Sequence, residues 1–282
     1  MTHNNRSVLH TAIALCAFAG NSLLTRLALD RTTIDAVTFS SVRLAAGAGM
    51  LVLVTAVRRR GAFRISGSWL SAAMLFLYTV PFSYAYVSLT AGTGALILVG
   101  SVQVTMMLAA LFKGERPHAL QWLGLSLALA GLVYLVLPGL SAPSPVGSIS
   151  MVLAGIAWGF YSLLGRGVAS PLEQTAGNFV RALLLLAIVG VVVRPPAHAQ
   201  PSGILLGLAC GALTSGLGYV FWYAAVRGLT ATRAAVVQLP APILAGAGGV
   251  LFLGEAISRR LLLSTIVVLG GIALALIGRE QH

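Results

Sequence analysis

Charged residues are scarce in this chain. They make up 9% of its 282 residues, whereas hydrophobic residues make up 58% and the mean hydropathy is +0.94. Soluble domains carry about 25% charged residues, so the polar side chains here are too few to cover a water-soluble particle. The composition therefore predicts a protein whose main solvent is lipid.

Acidic residues and cysteines are scarce as well. Six Asp and Glu oppose 18 Lys and Arg, which gives a formal net charge of +12. In a soluble protein this excess would suggest nucleic-acid binding, but here the bases lie between apolar runs as membrane topology requires, so no nucleic-acid partner is expected. Cys16 and Cys210 lie inside apolar runs without a CxxC pattern, and we expect packing residues rather than a disulfide or a metal site.

Sequence motifs for catalysis are also missing. The chain contains no HExxH, GxSxG or GxxxxGK[ST] pattern, so we expect no enzyme, no cofactor and no bound metal. No apolar run carries a carboxylate near its middle, which argues against proton antiport through a buried acid. A filter loop or a ring of charges typical of a channel is not evident either. A solute transporter is the leading class, ahead of a channel or lipid-active scaffold and then of an enzyme.

Ten apolar runs are long enough to cross a bilayer, since a spanning helix needs about 20 residues. They are residues 8–29, 36–57, 69–89, 91–112, 119–137, 147–168, 173–193, 203–226, 230–252 and 261–278. Arg6, the first run and Ala17-Phe18-Ala19 also resemble a signal peptide, but the repeat described below favours a retained helix.

The basic residues predict the topology of these runs. With a cytoplasmic N-terminus, eleven bases fall in cytoplasmic segments and five outside, as the positive-inside rule requires. The five outer bases are Arg26, Arg31, Arg194, Arg259 and Arg260. We therefore expect a multi-pass protein of the inner membrane with both termini in the cytoplasm.

The two halves of the sequence resemble each other. A single shift along the chain aligns Arg26 with Arg166, Gly114-Glu115 with Gly254-Glu255, and Gly131 with Gly271, and a two-residue gap adds Arg43 with Arg181. Residues 1–140 and 141–282 are thus predicted as two five-helix repeats. Because five is odd, the second repeat enters the membrane from the opposite side. The predicted fold is an all-α polytopic membrane protein of ten transmembrane helices in two inverted repeats, a design that underlies alternating access in secondary transporters.

Several of these motifs resemble those of a known family. Lys113-Gly114-Glu115-Arg116-Pro117 followed by Gln121-Trp122-Leu123-Gly124 resembles the end of helix 4 and helix 5 of the drug/metabolite transporter superfamily, in its EamA-like branch. Phe252-Leu253-Gly254-Glu255 before Gly270-Gly271 is the second copy. The resemblance implies two EamA-like repeats, a central cavity, gating by helices 3, 4, 8 and 9, and export of small metabolites, as in the family's aromatic amino acid exporters.

Polar and aromatic side chains inside the apolar runs are the candidate substrate contacts. Tyrosine hydroxyls, indole N–H groups and amides lack partners in hydrocarbon unless they line a cavity. The candidates are Asn21, Tyr78, Phe82, Tyr86, Trp158, Tyr161, Tyr219, Trp222 and Gln238. A packed aromatic core, with amides that hold helices together, is the structural alternative.

Two charges inside helices, Arg43 and Arg181, complete the candidate set. The functional interpretation is that they bind a substrate carboxylate alternately on the two sides of the membrane. The structural interpretation is that they cap carbonyls at neighbouring helix ends or extend to the interface.

Glu115 and Glu255 close helices 4 and 9 at opposite faces. Proton coupling is the functional interpretation of these two acids. The structural interpretation is that they form ion pairs with Arg116, Arg259 or Arg260.

Together these features predict a secondary transporter. It would export small zwitterionic metabolites, above all hydrophobic or aromatic amino acids, across the inner membrane by alternating access as a facilitator. The alternative is a nucleotide-sugar carrier or an amphipathic drug or metabolite transporter, proton-coupled or not. The expected partners are a small-molecule substrate and the lipid bilayer, and the chain is expected to be a monomer or a weak homodimer.

Overall fold

The computed structural model describes residues 3–58, 66–112, 119–139, 142–165, 168–193, 199–225 and 237–280. Within these ranges the chain forms helices joined by turns, without a strand. The helices are α1 (His3–Arg31), α2 (Ala36–Arg58), α3 (Trp69–Tyr86), α4 (Ala91–Phe112), α5 (Ala119–Val136), α6 (Pro145–Leu164), α7 (Pro171–Val193), α8 (Pro201–Ala225), α9 (Pro240–Leu253) and α10 (Arg259–Glu280).

Eight helices in the described ranges are long and apolar enough to cross a membrane by length and composition. α3 and α9 are the exceptions. α3 is 18 residues long and carries tyrosines and serines that lower its hydropathy, and α9 is a shorter apolar helix. The ninth predicted span begins at Thr230, outside the described residues. The protein is thus a multi-pass helical membrane protein.

Polar side chains and prolines fix where several helices begin. Asp35 Oδ1 accepts hydrogen bonds from the backbone N–H groups of Val37 and Thr38 at 3.0 and 2.9 Å, ahead of α2. Ser68 Oγ accepts from Ser71 N at 3.0 Å at the start of α3. Such caps satisfy N–H groups that have no partner within the helix. Proline at the first helical position, where no N–H is needed, begins α6, α7, α8 and α9.

A π-helical segment, Cys210–Leu217, interrupts α8 near the middle of the bundle. Its glycines allow a close approach to α2: a Cβ at Gly211 would lie 3.0 Å from the backbone carbonyl carbon of Arg43. π-Helical turns within α-helices are frequent at functional sites. Here the segment places Ser215 beside Arg43 of α2 and Thr214 beside Gly20 of α1.

The helix contacts follow a paired pattern. α1 packs along α8 and against α9, whereas α6 packs against α3 and α4. α2 lies against α7 and α8, and α3 also contacts α7. α5 pairs mainly with α10, at one side of the bundle.

The outer surface of the bundle is apolar and its interior holds polar groups. Phe112 and Leu251 are 91% and 76% exposed, whereas Arg43, Asn21 and Asn178 are buried. In water this arrangement would be unstable, but in a bilayer the exposed apolar side chains face lipid tails.

Glycines set the separation of α5 and α10. A Cβ added to Gly271 would lie 2.7 Å from both Ala128 N and Gly124 O, which are backbone atoms of α5. The two helices therefore cross at backbone contact, as small residues permit in membrane proteins.

We expect Gly271→Ala to lower the stability of the protein by about 1–3 kcal/mol, because the new methyl group overpacks a rigid contact. Gly270→Ala is the matched control, since a Cβ at Gly270 meets nothing within 4 Å. Thermal unfolding in detergent, followed by tryptophan fluorescence, should give a lower midpoint for Gly271→Ala alone. Equal midpoints for the two variants would contradict this account of the crossing.

Candidate functional site

A cavity of about 500 Å³ lies inside the bundle. Its walls come from α1 to α4 and α6 to α9, and α5 and α10 contribute no described lining residue. The lining runs from the middle of the bundle to Gly165 and Pro171, where α6 ends and α7 begins. This volume falls within the range of small-molecule sites, about 300–1,000 Å³.

Arg43 is the only charged residue among the described residues that line the cavity. Its side chain is buried, with Nε donating to Ser215 Oγ at 3.2 Å and Nη2 donating to the Tyr78 hydroxyl at 3.1 Å. The guanidinium carbon also lies 4.9 Å from the ring centre of Phe82. Nη1 is buried without a hydrogen-bond partner among the described residues. Arg43 is thus a cation held by neutral hydroxyls and aromatic rings.

A chain of hydrogen bonds continues from Arg43 across the cavity wall. Asn21 Nδ2 donates to the Tyr78 hydroxyl at 3.2 Å, and Cys210 Sγ donates to Asn21 Oδ1 at 3.1 Å. The Tyr78 oxygen therefore accepts from an amide nitrogen and a guanidinium nitrogen, and neither nitrogen can accept the tyrosine proton. These contacts connect α1, α2, α3 and α8 at one level.

Aromatic rings form most of one wall. Trp158 lies at their centre, with ring-centre distances of 4.8 Å to Tyr78, 5.3 Å to Tyr161 and 5.7 Å to Tyr219. Tyr78 in turn lies 5.2 Å from Phe82. Offset and tilted ring pairs at these distances are favourable, so the wall is both apolar and firmly packed.

A second polar cluster lies toward the open end of the cavity. The hydroxyls of Thr175 and Tyr223 are 2.7 Å apart and share a hydrogen bond. Asn178 donates from Nδ2 to the Tyr161 hydroxyl at 3.4 Å and accepts from Ser68 N at 3.0 Å through Oδ1. The neutral side chains of α6, α7 and α8 are therefore fixed in place around the entrance.

An ion pair stands at the opposite end of the bundle. Arg26 Nε lies 3.1 Å from Glu255 Oε1, and Glu255 Oε2 accepts from Ala91 N at 2.8 Å at the start of α4. Arg26 Nη1 also donates to the backbone carbonyls of Tyr86 and Val87 at 3.0 and 3.1 Å. This Arg26–Glu255 bridge joins the ends of α1 and α3 to the start of α4 and to the loop after α9.

The partner of Glu255 differs from the prediction. Arg259 and Arg260 were expected because they follow Glu255 closely in sequence, but Glu255 pairs with Arg26 of α1. Arg260 instead donates to the backbone carbonyl of Leu137. The chain reversal after α9 brings Glu255 back over the end of α1, which local sequence does not reveal. Glu115 and Arg116 lie outside the described residues.

Nine of the eleven candidate residues lie on the cavity wall. They are Asn21, Arg43, Tyr78, Phe82, Trp158, Tyr161, Tyr219, Trp222 and Gln238. They were selected as polar, aromatic or charged side chains inside apolar runs, and the packing of α1, α2, α3, α6, α8 and the segment before α9 brings them together.

Tyr86 and Arg181 do not lie on the described wall. Tyr86 is one turn beyond Phe82, toward the Arg26–Glu255 bridge, where it is fully buried and donates to Ala91 O at 3.4 Å. Arg181 Nη1 donates to Ser66 O at 2.7 Å and Gly177 O at 3.2 Å. Arg181 thus caps backbone carbonyls, as the structural interpretation of this residue expected. The hydrogen-bond partners of Arg43, by contrast, are side chains.

Several lining residues were not among the candidates. Small hydroxyl residues escaped selection because Ser and Thr are common in any membrane helix; examples are Ser22, Ser71, Ser162, Thr214 and Ser215. Phe18, Gln174 and Tyr223 also line the wall. Thr214 and Ser215 stand among glycines in the middle of an apolar run, and that local pattern was the available signal.

This chain is similar to a family of transporters and to individual bacterial proteins. The profile of the EamA-like transporter family matches residues 145–277. An uncharacterized protein of Pseudomonas aeruginosa is 51% identical over 98% of this chain and 96% of its own length. A probable terminal-alkyne amino-acid exporter of Streptantibioticus cattleyicolor is 30% identical over 77% of this chain and 72% of its own.

The fold also resembles a solved structure. A protein of known crystal structure superposes with a TM-score of 0.69 at 19% sequence identity, over 97% of this chain and 98% of that chain. At this identity the likeness concerns the fold alone.

The geometry predicts from which side the cavity is reached. We expect Gln174→Cys, at the cavity entrance, and Thr33→Cys, exposed at the opposite face, to react with a membrane-impermeant maleimide from opposite sides. Labelling in right-side-out and inverted vesicles should show this, with the parent protein as the control for Cys16 and Cys210. Labelling of both positions from one side would contradict the described direction of the cavity.

The Arg26–Glu255 bridge should couple the two residues energetically. We expect Arg26→Gln and Glu255→Gln each to cost about 1–3 kcal/mol, because each leaves a charged hydrogen-bond partner poorly satisfied. The double variant should cost less than the sum by at least about 0.5 kcal/mol. The free energy of unfolding from SDS titration measures this cycle, and additive losses would count against the bridge.

Proposed function

Because the chain belongs to the EamA-like transporter family of the drug/metabolite transporter superfamily, we propose that it is a secondary transporter exporting small zwitterionic metabolites across the inner membrane. Hydrophobic and aromatic amino acids are the proposed substrates. The observation that carries this proposal is the cavity, whose aromatic wall surrounds one buried cation among the described lining residues. A rim of neutral amides and hydroxyls completes it.

The chemistry of the wall suits an amphipathic solute. An apolar side chain of the substrate would pack against Trp158 and Tyr219, while its polar headgroup would meet Arg43 and the amides of Asn21 and Gln238. Aromatic walls with a few placed polar groups are typical of small-molecule sites. The relative in Streptantibioticus cattleyicolor, named a probable amino-acid exporter, supports the same substrate class.

The helix contacts support two inverted five-helix repeats, residues 1–140 and 141–282. Under that repeat, α6 to α10 correspond to α1 to α5. The contacts of α6 with α3 and α4 then correspond to those of α1 with α8 and α9, and the contact of α3 with α7 corresponds to that of α8 with α2. A bundle built in this way can exchange the packing of its halves, which is the basis of alternating access.

With both termini in the cytoplasm, the cavity opens toward the cytoplasm. The Arg26–Glu255 bridge then closes the outer face, at the ends of the proposed gating helices α3, α4 and α9. Rocking of the two halves around the cavity would release this bridge. The described lining residues include no carboxylate, which favours a facilitator that lets an accumulated solute run down its gradient over a proton antiporter.

The nucleotide-sugar alternative receives less support from the cavity. A dianionic phosphate headgroup calls for several basic residues, and Arg43 is the one charged residue of the described wall. Arg181, the second base considered from the sequence, is occupied by backbone carbonyls.

The proposal predicts saturable uptake of hydrophobic and aromatic amino acids into proteoliposomes without an imposed pH gradient. Trp158→Ala should lower uptake at least about tenfold, because it removes the centre of the aromatic wall. Trp122→Ala is the matched control, since Trp122 is half-exposed on α5, outside the cavity. No uptake of any amino acid would refute the substrate class, and uptake only with a pH gradient would refute the facilitator.

A further inference from the structure

The charge on Arg43 has no counter-ion in the described part of the bundle. The residue is 3% exposed, and its bonded partners are the hydroxyls of Ser215 and Tyr78. Burying a guanidinium without an anion costs several kcal/mol, and cation–π contacts with Phe82 and Tyr78 offset only part of that cost. The site is therefore short of one negative charge.

The nitrogen Nη1 is the atom of Arg43 that is best able to donate a hydrogen bond to an anion. It is buried without a partner, so an acceptor that meets it displaces no hydrogen bond within the protein at that atom. Arg43 also lies on the cavity wall. Because Nη1 is closed off from solvent, a local shift of neighbouring side chains must open this edge of the guanidinium to an anion in the cavity, and no hydrogen bond to the described residues is lost at that atom.

Tyr78 supplies a second donor beside the first. Its oxygen accepts from Asn21 Nδ2 and from Arg43 Nη2, which are both donors only. Its own proton therefore remains to be donated. Two adjacent donors with one charge between them match the two oxygens of a carboxylate.

The described wall of the cavity offers an ammonium ion no group with a full negative charge. Among its described lining residues there is no carboxylate, and the acceptors available are neutral amide and hydroxyl oxygens. An α-ammonium group would have to leave water for these neutral oxygens and for the faces of the aromatic rings, beside a protein cation that repels it. The electrostatics of the site therefore distinguish sharply between the two ends of an amino acid.

We propose that the transporter recognises its substrate headgroup through the carboxylate, held by Arg43 and Tyr78, and that the α-ammonium group is dispensable. The substrate class is then apolar and aromatic monocarboxylates, of which amino acids are one subset. This inference rests on the proposed transport function and identifies which half of the headgroup determines specificity. Trp158, 4.8 Å from Tyr78 between ring centres, is placed to stack on the aromatic body of a carboxylate bound there.

The direct test is equilibrium binding to the purified full-length protein in detergent, measured by isothermal titration calorimetry. The probes are 3-phenylpropanoate, L-phenylalanine and 2-phenylethylamine, which share one aromatic body and differ in the headgroup. We expect 3-phenylpropanoate to bind at least as tightly as L-phenylalanine, and 2-phenylethylamine to bind at least about tenfold more weakly, as loss of a charged hydrogen bond implies. Equal binding of the amine and the acid, or no binding of the acid, would overturn the proposal.

Variants locate the effect at the two donors. Arg43→Gln should weaken 3-phenylpropanoate at least about tenfold, Tyr78→Phe about threefold to tenfold, and neither should weaken 2-phenylethylamine. Arg43→Lys, which keeps the charge but not the planar fork, should bind the acid with intermediate affinity. A structural role for Arg43 would weaken all three probes alike, and that result would overturn the assignment.

Matched controls lie outside the cavity. Arg260→Gln removes a guanidinium 5.7 Å from the ring of Tyr134, and Tyr134→Phe removes a half-exposed hydroxyl. Both controls should bind the three probes as the parent protein does.

Failure of the proposed function gives a different pattern of results. Arg43-dependent binding of 3-phenylpropanoate together with no amino acid uptake in proteoliposomes would sustain the carboxylate site and refute amino acid export. Amino acid uptake together with tight binding of 2-phenylethylamine would sustain amino acid export and refute the carboxylate site.

Discussion

The absence of water from the bilayer core is the constraint on which this structure depends. Polar groups in the spans must look for partners within the protein, and many of the hydroxyl residues find one locally. Thr25, Ser40, Thr79 and Thr105 each donate to the backbone carbonyl four residues earlier, at 2.7–2.8 Å. Larger polar side chains cannot be satisfied within their own helix, so they face one another across the bundle and line a cavity. The polar interior and the apolar surface are two results of the same constraint.

Buried arginines are paired differently at one end of the bundle and in its middle. At one end, Arg26 is balanced by Glu255 and by Asp30, whose Oδ1 lies 3.0 Å from Arg26 Nη2. In the middle, Arg43 is balanced by no acid within the described residues and is held by hydroxyls and rings. A paired charge holds helix ends together, whereas an unpaired buried charge stays available to a ligand. Under the proposed function, arginine thus serves a closure in one place and a binding site in another, and the difference is set by which acid the fold brings near.

Individual residues show how far sequence reasoning extends. Tyr78, Phe82 and Tyr86 follow one another at four-residue spacing and therefore share one face of α3. Spacing gives no depth for the cavity, however, and Tyr86 falls one turn beyond its floor. Arg43 and Arg181 align in the predicted repeat, so the sequence treats them alike. Ser66, which lies far from Arg181 in sequence, supplies a carbonyl that binds Arg181, whereas the partners of Arg43 are the hydroxyls of Ser215 and Tyr78.

The sequence by itself determined that this protein lies in lipid, that it is helical and where most of its helices run. Hydropathy and the residues that begin and end helices are local properties of the chain. It also indicated most of the residues that face the interior, since polar groups in apolar runs have few other places to be. Only the tertiary structure decided that Glu255 meets Arg26, that Arg181 is capped and that Nη1 of Arg43 is left without a partner. Those outcomes depend on chain segments that are distant in sequence, and a charge has no fixed role until the packing determines its neighbours.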